Sequence, residues 1–213
     1  MVSKWNFIPL TPEQEKQKQD LSEALGISPI LCQLLVQRGI TTFSEAKSFF
    51  RPQLTELYDP FLMNDMDKAV NRLNQAIGRK EKILVYGDYD VDGITAVALV
   101  YKFLRKFFCS KSQVDFYIPN RESEGHGLNT KALVKLMSTK NPKLIITVDN
   151  GISNNEEVKF INSFKRDIII TDHHEAPNEL PEAYAIINPK AMNALDEKLS
   201  TAQIEYLTSL AGV

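Results

Sequence analysis

Carboxylate and imidazole side chains follow three separate apolar runs of the sequence. The segment 88–93 (DYDVDG) is separated from the run ILVY only by Gly87, Asp149 follows the run LIITV, and the segment 172–174 (DHH) is separated from the run III only by Thr171. If these runs are parallel neighbours in one sheet, their polar ends emerge at the same edge, where open α/β sheets place ligands. Together the three clusters predict a metal-dependent hydrolytic site.

The first cluster places three carboxylates, Asp88, Asp90 and Asp92, within five residues. Such crowded negative charges repel one another unless cations neutralise them. Hard divalent cations with oxygen ligands are the natural partners. A solvated acidic turn ending at Gly93 is the alternative for this segment taken alone. A calcium loop fits poorly, because no Glu follows at the required spacing and a strand precedes the segment.

The third cluster adds imidazole to carboxylate, a mixture that suits manganese, zinc or iron better than calcium. Successive side chains diverge on an extended strand, but a turn beyond it lets one imidazole bind metal while the other faces substrate. Taken alone, a His pair is more often a surface feature, and Asp149-Asn150-Gly151 is a common turn signal. The coincidence of three clusters after three apolar runs favours the joint interpretation.

The sequence from Lys82 onward alternates short apolar runs with helical segments, which is the pattern of a parallel sheet. Near-continuous apolar strands are typical of sheets covered on both faces. The predicted fold is therefore α/β, a Rossmann-like parallel sheet of about five strands flanked by helices. The predicted strands are 83–86, 113–118, 144–148, 167–171 and 184–188, and the predicted helices are about 94–108, 129–138, 153–164 and 200–210, with Ser153 and Glu156 as a capping box.

Helical patterns without a clear strand occupy residues 1–80, which predicts a helical N-terminal arm before a main domain at 81–213. The arm carries no chemical signature. Its expected helices are a polar one from Pro12 to Leu25, an apolar one from Ile30 to Val36 that ends near Gly39, a short one that Ser44 caps and Pro52 stops, and an amphipathic one from Asp65 to Ile77 that Gly78 closes.

Composition places the chain among ordinary globular proteins, since its 213 residues are 43% apolar and 24% charged. The net charge of -2 does not exclude an anionic substrate, because bound cations reverse the local sign of an acidic site. Cys32 and Cys109 lie far apart, which makes a disulfide framework improbable and favours a reducing compartment. No signal pattern or membrane-length apolar run stands out, so a cytoplasmic protein is expected.

The three clusters, in this order, resemble the motifs of the DHH phosphoesterase superfamily, and within it those of single-strand exonucleases. The matching segments are 87–93, 147–151 and 171–174. Residues 118–128 resemble the family's second loop, in which a Tyr often stands at the position of His126. The resemblance extends from about Leu25 to the last residue, where 209–213 is similar to the start of a later family helix.

The resemblance implies a role for each residue of the clusters. The metal ligands would be Asp90, Asp92, Asp149 and His173, with Asp88 a ligand or a close neighbour. Two cations, Mn²⁺ or Mg²⁺, would share Asp92 or Asp149 as a bridge. His174 would contact the scissile phosphate, Asp172 would orient an imidazole, and Arg121, Gly125, His126 and Gly127 would bind phosphate or substrate.

The implied reaction is metal-dependent hydrolysis of phosphodiester bonds in single-stranded DNA, from 5′ to 3′, in DNA repair and recombination. By family resemblance, the partners would be single-stranded DNA, a single-strand-binding protein and a helicase, and no membrane. Family members carry a further metal-binding Asp, a second domain and an oligonucleotide-binding fold beyond this core. The chain is therefore expected to be an N-terminal fragment, truncated before the last metal-ligand motif and weakly active or inactive.

Other functions stay open. Related DHH enzymes hydrolyse pyrophosphate, cyclic dinucleotides or short RNA. A non-catalytic nucleic-acid-binding module would keep the scaffold and use metal only for structure. Asp90-Val91-Asp92-Gly93 also resembles the loop of haloacid-dehalogenase-type phosphatases, in which Asp90 would be a covalent nucleophile. That family requires a later Lys and an acidic pair in place of Asp-His-His.

Two basic stretches are candidates for binding a DNA strand, although solvated helix faces explain most such runs. Phe103, Phe107 and Phe108 stand near the first stretch at helical spacing and are expected in the core. The stretches are Lys102, Arg105, Lys106 and Lys111, and Lys131, Lys135, Lys140 and Lys143.

Overall fold

The computed structural model of the chain describes residues 8–53, 55 and 59–191. They belong to two compact units, one that precedes residue 59 and one that begins at Asp59. The amphipathic helix that the sequence assigns to the N-terminal arm lies in the second unit, because it packs against the last strand of the sheet. Among the described residues, no helix has the length and apolar character needed to cross a membrane.

The described residues of the first unit form three α-helices around a small apolar core. The predicted cap at Ser44 is wrong, because the third helix begins earlier: Thr42 and Glu45 form a capping box in which each side chain accepts a hydrogen bond from the other's main-chain N–H. The helices are α1 (Pro12–Leu25), α2 (Pro29–Gln37) and α3 (Phe43–Phe50), and their core residues are Leu21, Cys32, Leu35, Val36 and Ala46.

The second unit contains a five-stranded parallel sheet with the strand order β2-β1-β3-β4-β5. The predicted α/β class is confirmed. In a doubly wound sheet with this order, the switch in chain direction between β1 and β3 opens a crevice at the carboxyl ends of the strands. The strands are β1 (Ile83–Tyr86), β2 (Val114–Tyr117), β3 (Leu144–Val148), β4 (Asp167–Thr171) and β5 (Ala185–Ile187).

Helices cover the sheet on both faces. Alternate residues of β3 show why: Leu144 belongs to the apolar cluster that includes α4 and α5, and Ile145 belongs to the cluster that includes α7 and α8. Both faces of the central strands are therefore buried, as their continuous apolar runs predict. The helices are α4 (Met66–Gly78), α5 (Val91–Phe107), α6 (Arg121–Glu124), α7 (Thr130–Thr139) and α8 (Asn155–Ser163).

The strand register aligns the carboxyl ends of β1, β3 and β4. Tyr86 of β1 pairs with Thr147 of β3, and Thr147 in turn pairs with Ile170 of β4. The polar segments that follow these three strands consequently emerge side by side.

Helix boundaries differ most from the prediction. Helix α5 begins at Val91 because the Asp90 side chain accepts a hydrogen bond from Gly93 N at 2.9 Å and caps it. The predicted capping box of Ser153 and Glu156 is wrong, since Asn154 occupies the cap position of α8 and makes no side-chain cap bond. The predicted helix at 200–210 lies outside the described residues.

One buried cation ties α4 to the sheet. The Arg72 guanidinium donates from Nη2 to Glu81 and from Nε to Asp167, both at 2.6 Å. Arg72 is buried, whereas Asp167 is partly exposed at the start of β4. Burial acts against its charge, but the two carboxylates outweigh this effect and raise the pKa of Arg72.

Candidate metal centre

The aspartate loop between β1 and α5 is held in a tight turn. Asp88 is buried, and its Oδ1 accepts a hydrogen bond from Tyr89 N at 2.7 Å. Gly93 is required at the other end, because a Cβ there would lie 2.6 Å from the main-chain N and O of Asp88. This close approach directs the loop back across the end of β1 and places Asp92 in the first turn of the helix.

Asp149 follows β3 in a left-handed backbone conformation, with φ 61°. Its main-chain N–H donates to Thr171 O at 3.0 Å, so the turn is fixed to the end of β4. An aspartate adopts this region more readily than most residues do. The carboxylate is buried at the carboxyl edge of the sheet.

Side chains from three strands converge at this edge. His173 Nε2 lies 2.9 Å from Asp149 Oδ1 and 3.5 Å from Asp92 Oδ2. Ligand-type atoms of Asp149, His173 and His174 all lie within 4.8 Å of one another. The structure therefore brings together residues that stand up to 81 positions apart in the sequence, namely Asp92 and His173.

The surroundings of Asp149 disfavour the charged form of its carboxyl group. Burial raises the pKa of Asp149 to about 6, and the negative charges of Asp92 and Asp90 act in the same direction. The hydrogen bond and positive charge of His173 act in the opposite direction but do not cancel the rise. Nearby cations would relieve this repulsion.

Both carboxylate oxygens of Asp172 accept hydrogen bonds from within the protein. Its Oδ1 accepts from the main-chain N–H groups of His173 and His174, and its Oδ2 accepts from Ile152 N at 2.9 Å. Oδ1 also lies 2.7 Å from His174 Nδ1. A carboxylate engaged in this way orients the neighbouring imidazole and leaves no free oxygen for a cation.

His174 is held by its Nδ1 atom and leaves its other ring nitrogen, Nε2, without a protein partner among the described residues. Burial acts to lower the pKa of His174, but the hydrogen bond and charge of Asp172 outweigh it, so the pKa is raised. Asn188, which follows β5, donates from Nδ2 to the main-chain carbonyl of His174 at 3.0 Å and fixes the backbone of this turn.

The loop after β2 lies beside the aspartate loop. His126 is exposed, its Nδ1 lies 3.4 Å from Asp88 Oδ2, and its ring hydrogen-bonds the Tyr89 hydroxyl. The Arg121 guanidinium lies over the Tyr89 ring, 5.4 Å from its centroid. Gly125 and Gly127 both adopt left-handed φ angles, of 76° and 71°, which turn the chain on either side of His126.

Two groups emerge among the residues that the sequence singles out. Asp149, His173 and His174 are in mutual reach, and Asp92 lies 3.5 Å from His173. Asp90 is close enough to influence Asp149 electrostatically, while one of its oxygens caps α5. Asp88 instead faces the second loop, through His126. The second group consists of Asp88, Arg121, Gly125, His126 and Gly127.

Asn150, Tyr89 and Asn188 are site residues that the sequence does not reveal. Asn150 is buried and donates to two strand carbonyls, whereas in the sequence it is only the middle of a turn signal. Tyr89 stands between two aspartates, and only the fold shows that it meets His126. Asn188 is the last residue of the predicted strand 184–188, whereas in the structure it follows β5 at the edge that carries the site.

The donor set fits a divalent cation. It combines carboxylate oxygens from Asp92 and Asp149 with an imidazole nitrogen from His173, a mixture that suits manganese and similar metals. The raised pKa of Asp149 marks a surplus of negative charge at the same point. Carboxylates gathered without matching protein cations are the arrangement that a metal ion completes.

Comparison with models of protein families identifies the family of this chain. Residues 82–210 match the model of the DHH family, N-terminal domain. This match covers the sheet, the aspartate loop and the Asp-His-His segment. The chain therefore belongs to the DHH family.

Individual relatives share one description. The chain is 43% identical over 190 residues to the single-stranded-DNA-specific exonuclease RecJ of Bacillus subtilis, covering 89% of this chain and 24% of that protein. It is 35% identical over 163 residues to RecJ of Escherichia coli, covering 76% of this chain and 27% of the relative. The chain thus spans about a quarter of the length of these curated relatives.

Solved structures show the same fold. A crystal structure of exonuclease RecJ bound to manganese superposes with a TM-score of 0.59 and 27% identity, covering 73% of this chain and 39% of that one. RecJ of Thermus thermophilus in complex with Mn²⁺ superposes with a TM-score of 0.61 and 24% identity, covering 92% of this chain and 26% of that one.

Proposed function

We propose that the chain is the metal-binding catalytic module of a single-stranded-DNA-specific exonuclease. The reaction is hydrolysis of phosphodiester bonds from 5′ to 3′, in DNA repair and recombination. The observation that carries the proposal is the convergence of Asp92, Asp149 and His173 from three strands at one sheet edge. The 43% identity to a RecJ exonuclease supports the choice of substrate.

Asp90, Asp92, Asp149 and His173 are the proposed ligands, with Asp88 at the margin of the centre. When bound, two divalent cations, Mn²⁺ or Mg²⁺, supply an activated water and stabilise charge on the departing oxygen. The protein then needs no nucleophile of its own. Asp92 or Asp149 would be shared by the two cations, since each carboxylate lies close to His173 Nε2, at 3.5 Å and 2.9 Å respectively.

The remaining polar residues would position the substrate. Asp172 holds His174 through Nδ1, which leaves Nε2 to contact the scissile phosphate. Arg121 provides a guanidinium for bidentate contact with another phosphate. His126 would meet the substrate beside Asp88 of the aspartate loop, and Gly125 and Gly127, which turn the chain on either side of it, would let main-chain N–H groups approach the same phosphate.

We place this chemistry in a DHH core at about 81–213, against which helix α4 of the predicted 1–80 arm packs. The partner of the core is single-stranded DNA, and a single-strand-binding protein and a helicase are further proposed partners. The compartment we propose is the cytoplasm. These assignments rest on similarity to RecJ exonucleases, whose whole length is about four times that of this chain.

The test combines binding with turnover. Isothermal titration with Mn²⁺ measures the centre directly, and release of mononucleotides from a 5′-labelled single-stranded oligonucleotide measures catalysis. Bacillus subtilis RecJ serves as the positive control. We expect Mn²⁺ binding and slow, Mn²⁺-dependent release by the 213-residue chain, and neither in the variants Asp149→Asn and His173→Ala.

Failure of the wild-type chain to bind Mn²⁺ under conditions in which the control is active would refute the proposal. Faster hydrolysis of pyrophosphate than of the oligonucleotide would indicate another kind of DHH phosphoesterase. Trapping of a phospho-aspartate at Asp90 would favour a haloacid-dehalogenase-type mechanism instead.

A further inference from the structure

The outer side of α5 carries large apolar side chains that the sheet does not cover. Leu99 is 64% exposed, Phe103 53% and Phe107 58%. The expected burial of Phe103, Phe107 and Phe108 in the core is wrong, because the opposite side of α5, with Val97 and Leu104, faces the sheet. The exposed residues form one face at spacings of three and four. We call this face the α5 stripe: Val91, Thr95, Leu99, Lys102, Phe103, Lys106 and Phe107.

The same segment is strongly basic. Between Gly93 and Val114 the sequence contains four basic residues and no acidic one, in a chain whose net charge is -2. Within residues 59–191, neither Lys102 nor Lys106 lies within ion-pair distance of a carboxylate. Lys106 Nζ instead lies 5.2 Å from the centroid of the Phe107 ring. The stripe therefore presents positive charge that no carboxylate of this part of the chain neutralises.

The stripe forms a shallow groove that leads away from the metal centre. Residues from Thr95 to Phe107 line about 440 Å³ of open space along the helix. The N-cap of α5 is Asp90, so one end of the stripe begins at the aspartate loop. With 17 residues, α5 extends about 25 Å from that point. A ligand seated on the stripe would therefore have one end directed towards the aspartate loop.

Charge and ring chemistry distinguish between possible occupants. Protein–protein interfaces are depleted in lysine, so Lys102 and Lys106 among the exposed rings disfavour a protein partner. Single-stranded nucleic acid offers both an anionic backbone for the lysines and unstacked bases for the rings of Phe103 and Phe107. A duplex offers the anionic backbone but not the unstacked bases. A single strand is therefore the occupant that uses both features of the stripe.

We propose that the α5 stripe is a binding track for the single-stranded DNA that the metal centre processes. Lys102 and Lys106 contact phosphates, and Phe103 and Phe107 stack on bases. The inference rests on the proposed function and adds to it the path of the strand beyond the reaction site.

The test uses two double variants of the 213-residue chain, Phe103→Ala/Phe107→Ala and Lys102→Gln/Lys106→Gln. Binding of a fluorescent single-stranded oligothymidine is measured by anisotropy in a chelator, so that no hydrolysis occurs. Stacking on an aromatic ring contributes enough that we expect at least about fivefold weaker binding by the first variant. Loss of two phosphate contacts should reduce the slope of log affinity against log salt by about 1.4.

Matched controls lie on α8 and at the two residues that follow it, in the helix layer on the opposite face of the sheet. Phe164→Ala removes an exposed ring, and Lys159→Gln/Lys165→Gln removes two positive charges. Both should bind the oligonucleotide as the wild type does. Circular dichroism melting of each variant establishes that the fold is retained.

The outcomes separate this inference from the proposed function. If the wild type binds the oligonucleotide and both α5 variants bind equally well, the track is refuted while the proposed function stands. If the Phe variant instead converts a dimer to a monomer in sedimentation without a change in DNA binding, the stripe is a self-association surface. If the wild type binds neither Mn²⁺ nor the oligonucleotide, the proposed function itself fails.

Discussion

The side-chain amide of Asn150 joins the ends of two strands. Its Nδ2 donates to the main-chain carbonyl of Tyr86 at 3.3 Å and to that of Val148 at 2.9 Å. These carbonyls are the last of β1 and β3, the strands that lead to Asp92 and Asp149. Asn150 is buried, so no water replaces these bonds freely. It is therefore a positioning residue that sets the spacing between the two proposed ligands.

Replacing Asn150 should weaken metal binding without removing a ligand. In Asn150→Ala the two strand carbonyls lose their donor, and the loop that carries Asp149 becomes less ordered. Loss of a residue that orients ligands typically costs about tenfold or more in metal affinity. Isothermal titration with Mn²⁺ measures the effect.

Asn162→Ala is the matched control, since the Asn162 amide donates to the Glu182 carbonyl on the far side of α8. Its Mn²⁺ affinity should equal that of the wild type. Equal affinities in both variants would show that Asn150 has no part in positioning the centre.

Mn²⁺ should stabilise the folded chain. A ligand that binds only the folded state at about 100 times its dissociation constant adds about 2.7 kcal/mol to the free energy of unfolding. For a chain of this size, that corresponds to a rise of roughly 5–11 °C in melting temperature. Differential scanning fluorimetry with Mn²⁺ and with a chelator gives the difference.

Asp149→Asn should lose this rise, because it removes the buried carboxylate beside His173. Asp115→Asn removes a carboxylate that pairs with Lys140 at the edge strand β2, and it should keep the full rise. A similar rise in the Asp149 variant would mean that Mn²⁺ binds elsewhere.

Strands could be predicted more accurately than helix ends. Three of the five predicted strands match residue for residue, because their apolar runs are short and end in polar clusters. Caps depend on which of several polar residues reaches a free N–H. Thr42 serves where Ser44 was expected, and Asn154 where Ser153 was, since only the folded backbone decides between them.

The centre itself could be predicted only in part. Residue types indicate Asp149 and His173 as candidate ligands, and the parallel sheet explains why their side chains meet. Side chains whose partners are main-chain atoms of distant strands, such as Asn150, leave no pattern in the sequence. Periodicity also fails for Phe103 and Phe107, because it identifies a helix face but not whether that face lies against the core.

Gly93→Ala should disturb the aspartate loop. An added Cβ would lie 2.6 Å from main-chain atoms of Asp88, which cannot move aside as a flexible side chain can. Forced insertion of this kind costs about 1–3 kcal/mol. Urea denaturation should show that loss, and Mn²⁺ titration should show weaker binding because Asp90 and Asp92 shift with the loop.

Gly78→Ala supplies the comparison at the end of α4, where no atom lies within 4 Å of the added Cβ. Its stability should equal or exceed that of the wild type, since Ala favours helix by up to about 1 kcal/mol over Gly. Equal stability and metal affinity in the Gly93 variant would contradict the requirement for glycine in the loop.

Both thiols should react slowly in the folded chain. Burial raises the pKa of Cys32 and that of Cys109, more than Ser22 and Arg105 respectively lower them. A raised thiol pKa leaves less of the reactive thiolate at pH 8, and burial also blocks access. Reaction with a disulfide reagent should therefore be slow in buffer and fast in urea, with two thiols titrated per chain. Rapid reaction of either thiol in buffer would mean that its site opens readily.

Arg72 should contribute more to stability than any exposed ion pair. It is buried and bonds two carboxylates, from Glu81 and Asp167, that would lose their shared cation in Arg72→Ala. Breaking a buried pair costs about 3–5 kcal/mol, and the partial exposure of Asp167 places the expected loss at about 3 kcal/mol.

Urea denaturation measures this loss as a lower midpoint. The exposed pair of Lys159 with Glu156 is the control, and Lys159→Ala should change stability by less than about 1 kcal/mol. Because Arg72 fixes α4 to β4 on the edge of the sheet away from the metal centre, the variant should still bind Mn²⁺ at temperatures where it is folded. Comparable losses in the two variants would mean that the buried position of Arg72 gives its ion pairs no added strength.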